Sequence, residues 1–97
     1  MVTSTQLQNK YIKLYENIRN YIWSYEVVNL LADLEIETFK ALPDIIQIKS
    51  FLDKLHIETR NECKEDEDLE QSFVDFEQTL EDSDEVCYTI TQVNEVI

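Results

Sequence analysis

The stretch Leu69-Glu70-Gln71-Ser72-Phe73-Val74-Asp75-Phe76-Glu77-Gln78-Thr79-Leu80 lies where acid is densest, since residues 58 to 85 carry thirteen acids in twenty-eight positions. A run of that density ordinarily reads as a solvated tail. Here Leu69, Phe73, Phe76 and Leu80 recur at spacings of four, three and four, with Val74 beside them. That period is the apolar face of an amphipathic helix whose outer face is acidic. The segment therefore belongs to a folded unit, with Glu62 to Asp68 as a loop or as the first turn of the same helix.

Upstream, Leu7, Tyr11, Leu14, Ile18, Tyr21, Tyr25 and Val28 form a stripe at helical spacing, widened by Tyr15 and Ile22. Thr5 with Gln8 offers a capping box at its start. Ile12 and Trp23 lie off the main stripe, so this helix has two apolar strips and more than one neighbour. Between Ser24 and Glu26 the phase changes, and Val27, Val28, Leu30, Leu31, Leu34, Phe39 and Leu42 form a second apolar set. We read two helices here, with Ser24 capping the second; one bent helix is the alternative. Pro43 marks a boundary, because proline disfavours helix before it and suits the first turn after it. Asp44 adds favourable charge to that N-terminus. Ile45, Ile48, Phe51 (or Leu52) and Leu55 then define a third helix, ending near Thr59.

Downstream, Val86, Tyr88 and Ile90 alternate as a strand would. Val86, Ile90, Val93 and Ile97 also fit a helix capped by Ser83 with Asp84 and Glu85 in its first turn. Helix is preferred, since a lone strand has no partner within the chain. The expected fold is all-α, a small bundle of four to five helices, with a short C-terminal strand as the alternative to the last helix.

The 97 residues fit one domain, and their charge is unevenly divided. Residues 1 to 57 hold seven acids and six bases, a near-neutral helical scaffold; residues 58 to 97 hold fourteen acids and two bases, net -12 of the total -13. That balance excludes direct binding to nucleic acid or anionic lipid, both of which need basic surface. The absence of glycine removes Gly-rich phosphate loops and nucleophile elbows. No apolar run is long enough for a membrane span, and Met1 to Lys13 lacks the pattern of a signal peptide, so the expected compartment is the cytoplasm. Cys63, Cys87 and the single histidine, His56, are too few for a structural zinc site. No metal, cofactor or catalytic residue is assigned. The two cysteines read as free thiols in a reducing compartment.

Two acidic patterns carry functional readings. As one helix, residues 58 to 85 would span about 42 Å, a length over which one DNA strand carries about twelve phosphates. Thirteen carboxylates match that density. Such a surface is attracted to the basic groove of a nucleic-acid enzyme by long-range steering. The residues assigned to it are Glu62, Glu65, Asp66, Glu67, Asp68, Glu70, Asp75, Glu77, Glu81, Asp82, Asp84 and Glu85. The second pattern, Glu62-x-x-Glu65 with Glu81-x-x-Asp84, is similar in spacing to all-α nucleoside triphosphate pyrophosphohydrolases of the MazG type. That resemblance implies four carboxylates converging on Mg²⁺. So many acids make the match nearly inevitable, and Arg60 and Lys64 are the only bases nearby to hold a triphosphate.

Tyr11, Tyr15, Tyr21 and Tyr25 read as core by their spacing. Trp23, off the stripe, is the residue expected to anchor an exposed contact, either with a protein partner or in a homodimer through the N-terminal helix. In size and acidity the whole chain resembles the small inhibitors that phages and mobile elements direct against host nucleases, including anti-CRISPR and anti-restriction proteins. It shares no motif with them. The expected function is a non-enzymatic inhibitor whose partner is a basic nucleic-acid-binding protein such as a nuclease; the alternatives are an acidic helical adaptor and the Mg²⁺-dependent pyrophosphohydrolase.

Overall fold

Thr3, Ser24, Asp44 and Asp66 each set a side-chain oxygen beneath the first turn of a helix. This is the standard way to satisfy amide groups that a helix start leaves open. The helices they start are α1 (Ser4–Ile18), α2 (Tyr25–Thr38), α3 (Ile45–Asn61) and α4 (Glu67–Val96). The computed structural model describes residues 3–63 and 65–96, with side chains up to Asp82. The described residues contain no strand, so the fold is a four-helix, all-α bundle.

The first cap lies two residues earlier than its sequence reading. Thr3 accepts from the Gln6 amide at 3.2 Å, and the Gln6 side chain accepts from the Thr3 amide at 2.8 Å. The pattern Thr-x-x-Gln occurs at both places. Capping at Thr3 extends the helix while keeping Leu7, Tyr11, Leu14 and Ile18 on its buried face. α1 then stops at Ile18, whose carbonyl accepts the Tyr21 amide at 3.1 Å and the Trp23 indole N–H at 2.6 Å. The phase is reset in α2, so Val27 enters the core while Tyr25 and Val28, expected on the stripe, are exposed.

Asp44 caps α3 by accepting from the amides of Ile46 and Gln47, with Pro43 just before the cap. The helix buries Ile48, Leu52 and Leu55; Leu52 takes the position that the sequence left open with Phe51, which packs half-buried beside it. α3 continues two residues past Thr59 and closes without glycine. Cys63 takes the left-handed conformation, with φ 57°, and donates its amide to the Arg60 carbonyl at 3.0 Å. α4 runs unbroken through the point where Ser83 was expected to start a fifth helix or a strand to begin. Neither proline nor glycine interrupts residues 67 to 96. The proposed cap at Ser83 and the role of Cys87 concern side chains outside the described residues.

Each helix packs antiparallel on the next, and α4 closes the ring against α1. The core is built from Leu7, Leu14, Val27, Leu34, Ile48, Leu55, Leu69, Phe73, Phe76 and Leu80 with their neighbours. Within it Thr38 is wholly buried and its hydroxyl has no hydrogen-bond partner. The thirty residues of α4 make a rod about 45 Å long, which accounts for a molecule of 52 × 24 × 21 Å. No helix among the described residues is long and apolar enough to cross a membrane.

Candidate functional site

The acidic residues of α4 are arranged by its core stripe. With Leu69, Phe73, Phe76 and Leu80 turned inward, the helical repeat of about 100° per residue divides the rest into a crest and two flanks. Glu67, Gln71, Val74 and Gln78 lie along the crest, and exposed Glu81 lies at its α3 edge, beside Lys49 and Asp53. Glu70 and Glu77 lie toward α3. Asp68, Asp75 and Asp82 repeat every seven residues toward α1, about 10.5 Å apart.

The flank toward α3 is used inside the molecule. His56, buried on α3, stacks flat on Phe73 at 4.3 Å between ring centroids. Its Nδ1 lies 2.9 Å from Glu77 Oε1 and its Nε2 lies 3.0 Å from Glu70 Oε1. The ring thus stands between two carboxylates of α4, one at each nitrogen. Arg60, one turn further along α3, donates to Glu70 at 2.7 Å. The Arg60 guanidinium, with help from His56, holds the Glu70 carboxyl below its ordinary range against the opposing effect of burial.

The start of α4 is also committed. Asp66 accepts from the amides of Asp68 and Leu69 and from the Tyr21 hydroxyl. The Tyr21 bond, with the backbone donors, lowers the Asp66 carboxyl; the same contact raises the Tyr21 phenol. Glu62, the C-cap of α3, accepts from the Ser24 amide at 3.0 Å and from its hydroxyl at 2.7 Å. Glu62 thereby holds the α1–α2 turn to the end of α3.

Four of the twelve acids assigned to a partner surface, Glu62, Asp66, Glu70 and Glu77, are thus internal ties. Their partners, Ser24, Tyr21, His56 and Arg60, are the residues that sequence reasoning missed. The helical spacing of His56 to Arg60, facing Glu70 and Glu77 on an antiparallel neighbour, is the signal that could have found two of them. Glu65, Glu67, Asp68, Glu81 and Asp82 are exposed, and Asp75 is half-buried. Gln71 and Gln78 donate to Asp75 and Asp82 respectively, one turn on. The side chains of Asp84 and Glu85 lie outside the described residues. Trp23 is half-buried against the core, set edge-on to Tyr21 with its N–H satisfied, so it does not present the exposed anchor expected of it.

The carboxylates that a magnesium site would gather are apart. Glu62 closes α3, while Glu81 stands fifteen residues beyond Asp66 in sequence, about 22 Å along the helix. Among the described residues no three His, Cys, Asp or Glu side chains are grouped to hold a metal ion. Comparison with family models, curated proteins and solved structures finds no match for this chain.

Proposed function

We propose that this chain is a non-enzymatic inhibitor of the anti-CRISPR or anti-restriction type, carried by a phage or mobile element, that occupies the basic groove of a nucleic-acid enzyme with the outer surface of α4. The observation that supports this reading is the arrangement of acid on a single unbroken helix. Glu67, Asp68, Glu81 and Asp82 are exposed along one helix, half-buried Asp75 lies between them, and Glu65 extends the surface past its start. Each step of the aspartate row equals about three phosphate steps of a DNA strand. The mechanism is competition: the carboxylates take the lysine and arginine sites that phosphates would fill, and they are steered there by a net charge of -13. The internal ties of Glu70 and Glu77 to α3 hold the surface rigid, so little ordering entropy is lost on binding.

The test is capture of proteins from host lysate at about 0.1 M and about 0.5 M NaCl, concentrations that place the Debye length near 10 Å and well below it. The expected result is a nucleic-acid enzyme retained at low salt and displaced by added DNA or RNA. The triple variant Asp68→Lys, Asp75→Lys, Asp82→Lys should lose that enzyme while keeping its helical circular dichroism. A partner that stays bound at high salt and ignores nucleic acid would overturn mimicry in favour of an adaptor that binds through apolar surface.

A further inference from the structure

The outer face of the α1–α2 hairpin is apolar, and it lies across the molecule from the crest of α4. On α2, Tyr25, Val28, Ala32, Ile36 and Phe39 recur at spacings of three, four, four and three, opposite the buried stripe of Val27, Leu31 and Leu34. Tyr25 is 80 % exposed, Val28 52 %, Ile36 64 % and Phe39 45 %. Ile12 and Tyr15 of α1 continue the patch, and Tyr11 joins the two helices, packing edge-on against Phe39 and donating to Glu35. A continuous apolar face of this kind on a small soluble unit marks an interaction surface, and the spacing is that of a helix-pairing seam. Nothing in the proposed binding through α4 uses it.

We infer that this face is where a second copy of the chain docks, with a dyad along the helix axes placing α1 of each copy across α2 of the other. Charge selects this occupant and this arrangement. Residues 4 to 19 hold three bases and one acid, net +2; α2 holds four acids and no base, net -4. Setting α1 on the partner's α2 brings opposite charge together twice, whereas α2 on α2 would set -4 against -4. The hairpin register, fixed where Tyr11 meets Glu35, puts Lys13 level with Asp33. Both lie on the flank of their own helix away from the hairpin partner, so each Lys13 meets the other copy's Asp33. The net -12 of residues 58 to 97 stays on the outside of both copies, where repulsion across the dyad is screened over more than a Debye length.

Sedimentation equilibrium of the whole chain, from about 1 µM to about 1 mM at low salt, tests this. The mass should rise with concentration toward twice the 11.6 kDa of one chain. Ile36→Lys, at an exposed position that the fold does not need, should weaken association by about thirtyfold or more with helical circular dichroism unchanged. Lys13→Asp and Asp33→Lys should each weaken it severalfold, and the two together should restore it. A mass of one chain throughout, or a dimer indifferent to Ile36→Lys, overturns the proposal. A dimer lost in Ile36→Lys, with the single charge variants not rescued by their combination, overturns the α1-on-α2 arrangement. These outcomes are independent of whether α4 binds an enzyme.

Discussion

Cys63 shows what a chain without glycine must accept at a helix end. The left-handed conformation that ends α3 costs a residue with a β-carbon about 1–2 kcal/mol, and glycine is the usual occupant. The Cys63 side chain is exposed, and its thiol makes only a long contact of 3.8 Å to the Asn61 carbonyl, so little is lost by removing it. Cys63→Gly should therefore raise unfolding stability by about 1 kcal/mol, a rise in Tm of about 4–8 °C for a domain of this size. Thermal unfolding followed by circular dichroism measures it. An unchanged or lower Tm would mean that the added freedom of glycine in the unfolded chain offsets the relieved strain. The position was not legible beforehand. A cysteine between Glu62 and Lys64 carries no cap signal, and only the backbone shows that the turn needs a positive φ.

At the scale of elements, the helices were legible wherever apolar spacing and a capping residue agreed. Ser24 caps α2 as the sequence indicated, Pro43 marks the boundary before α3 but lies ahead of its first turn, with Asp44 as the cap, and Leu69, Phe73, Phe76 and Leu80 are the buried face of α4. The misread points were those where pattern leaves a choice, as at Thr3 against Thr5, or where a turn has no proline or glycine, as at residues 19 to 24. Spacing alone hides the allegiance of the acids, because Glu70 and Glu77 differ from Glu67 and Asp68 only by which neighbour α4 meets. That allegiance has a pH consequence. The Glu70 carboxyl is lowered from its ordinary 4.5, and Asp66 from its ordinary 3.8. A carboxyl whose folded value is depressed adds stability above its unfolded value and loses it as pH falls through the folded one. The α3–α4 contact should thus weaken as pH drops below the ordinary carboxylate range. Glu70→Gln should be less stable than the parent at pH 7, and the gap should close toward about pH 3. Urea unfolding at a series of pH values checks this; a gap that stays constant would show that Glu70 contributes through packing alone.

For the whole molecule, the division of charge sets the proposed binding against stability. Glu67, Asp68, Glu81 and Asp82 stand exposed along one helix, and with fourteen acids against two bases in residues 58 to 97 their mutual repulsion opposes the compact state. Arg60 offsets that repulsion at Glu70, on the side facing α3. The crest and the two ends of the aspartate row, Asp68 and Asp82, are exposed, and salt screens them within about 10 Å at 0.1 M. Raising NaCl should therefore increase Tm, in the range where the proposed complex with an enzyme should dissociate. Neutralising the row as Asp68→Asn, Asp75→Asn and Asp82→Asn should raise Tm at low salt and flatten its rise with NaCl. The same change should weaken capture of the partner at low salt. Calorimetry across a salt series, beside the capture assay, reads both. If the triple variant gained stability but kept its partner, the row would serve solubility alone and the binding surface would have to lie elsewhere. If it lost the partner without any change in Tm, the acids would be spaced widely enough that their repulsion costs the fold nothing.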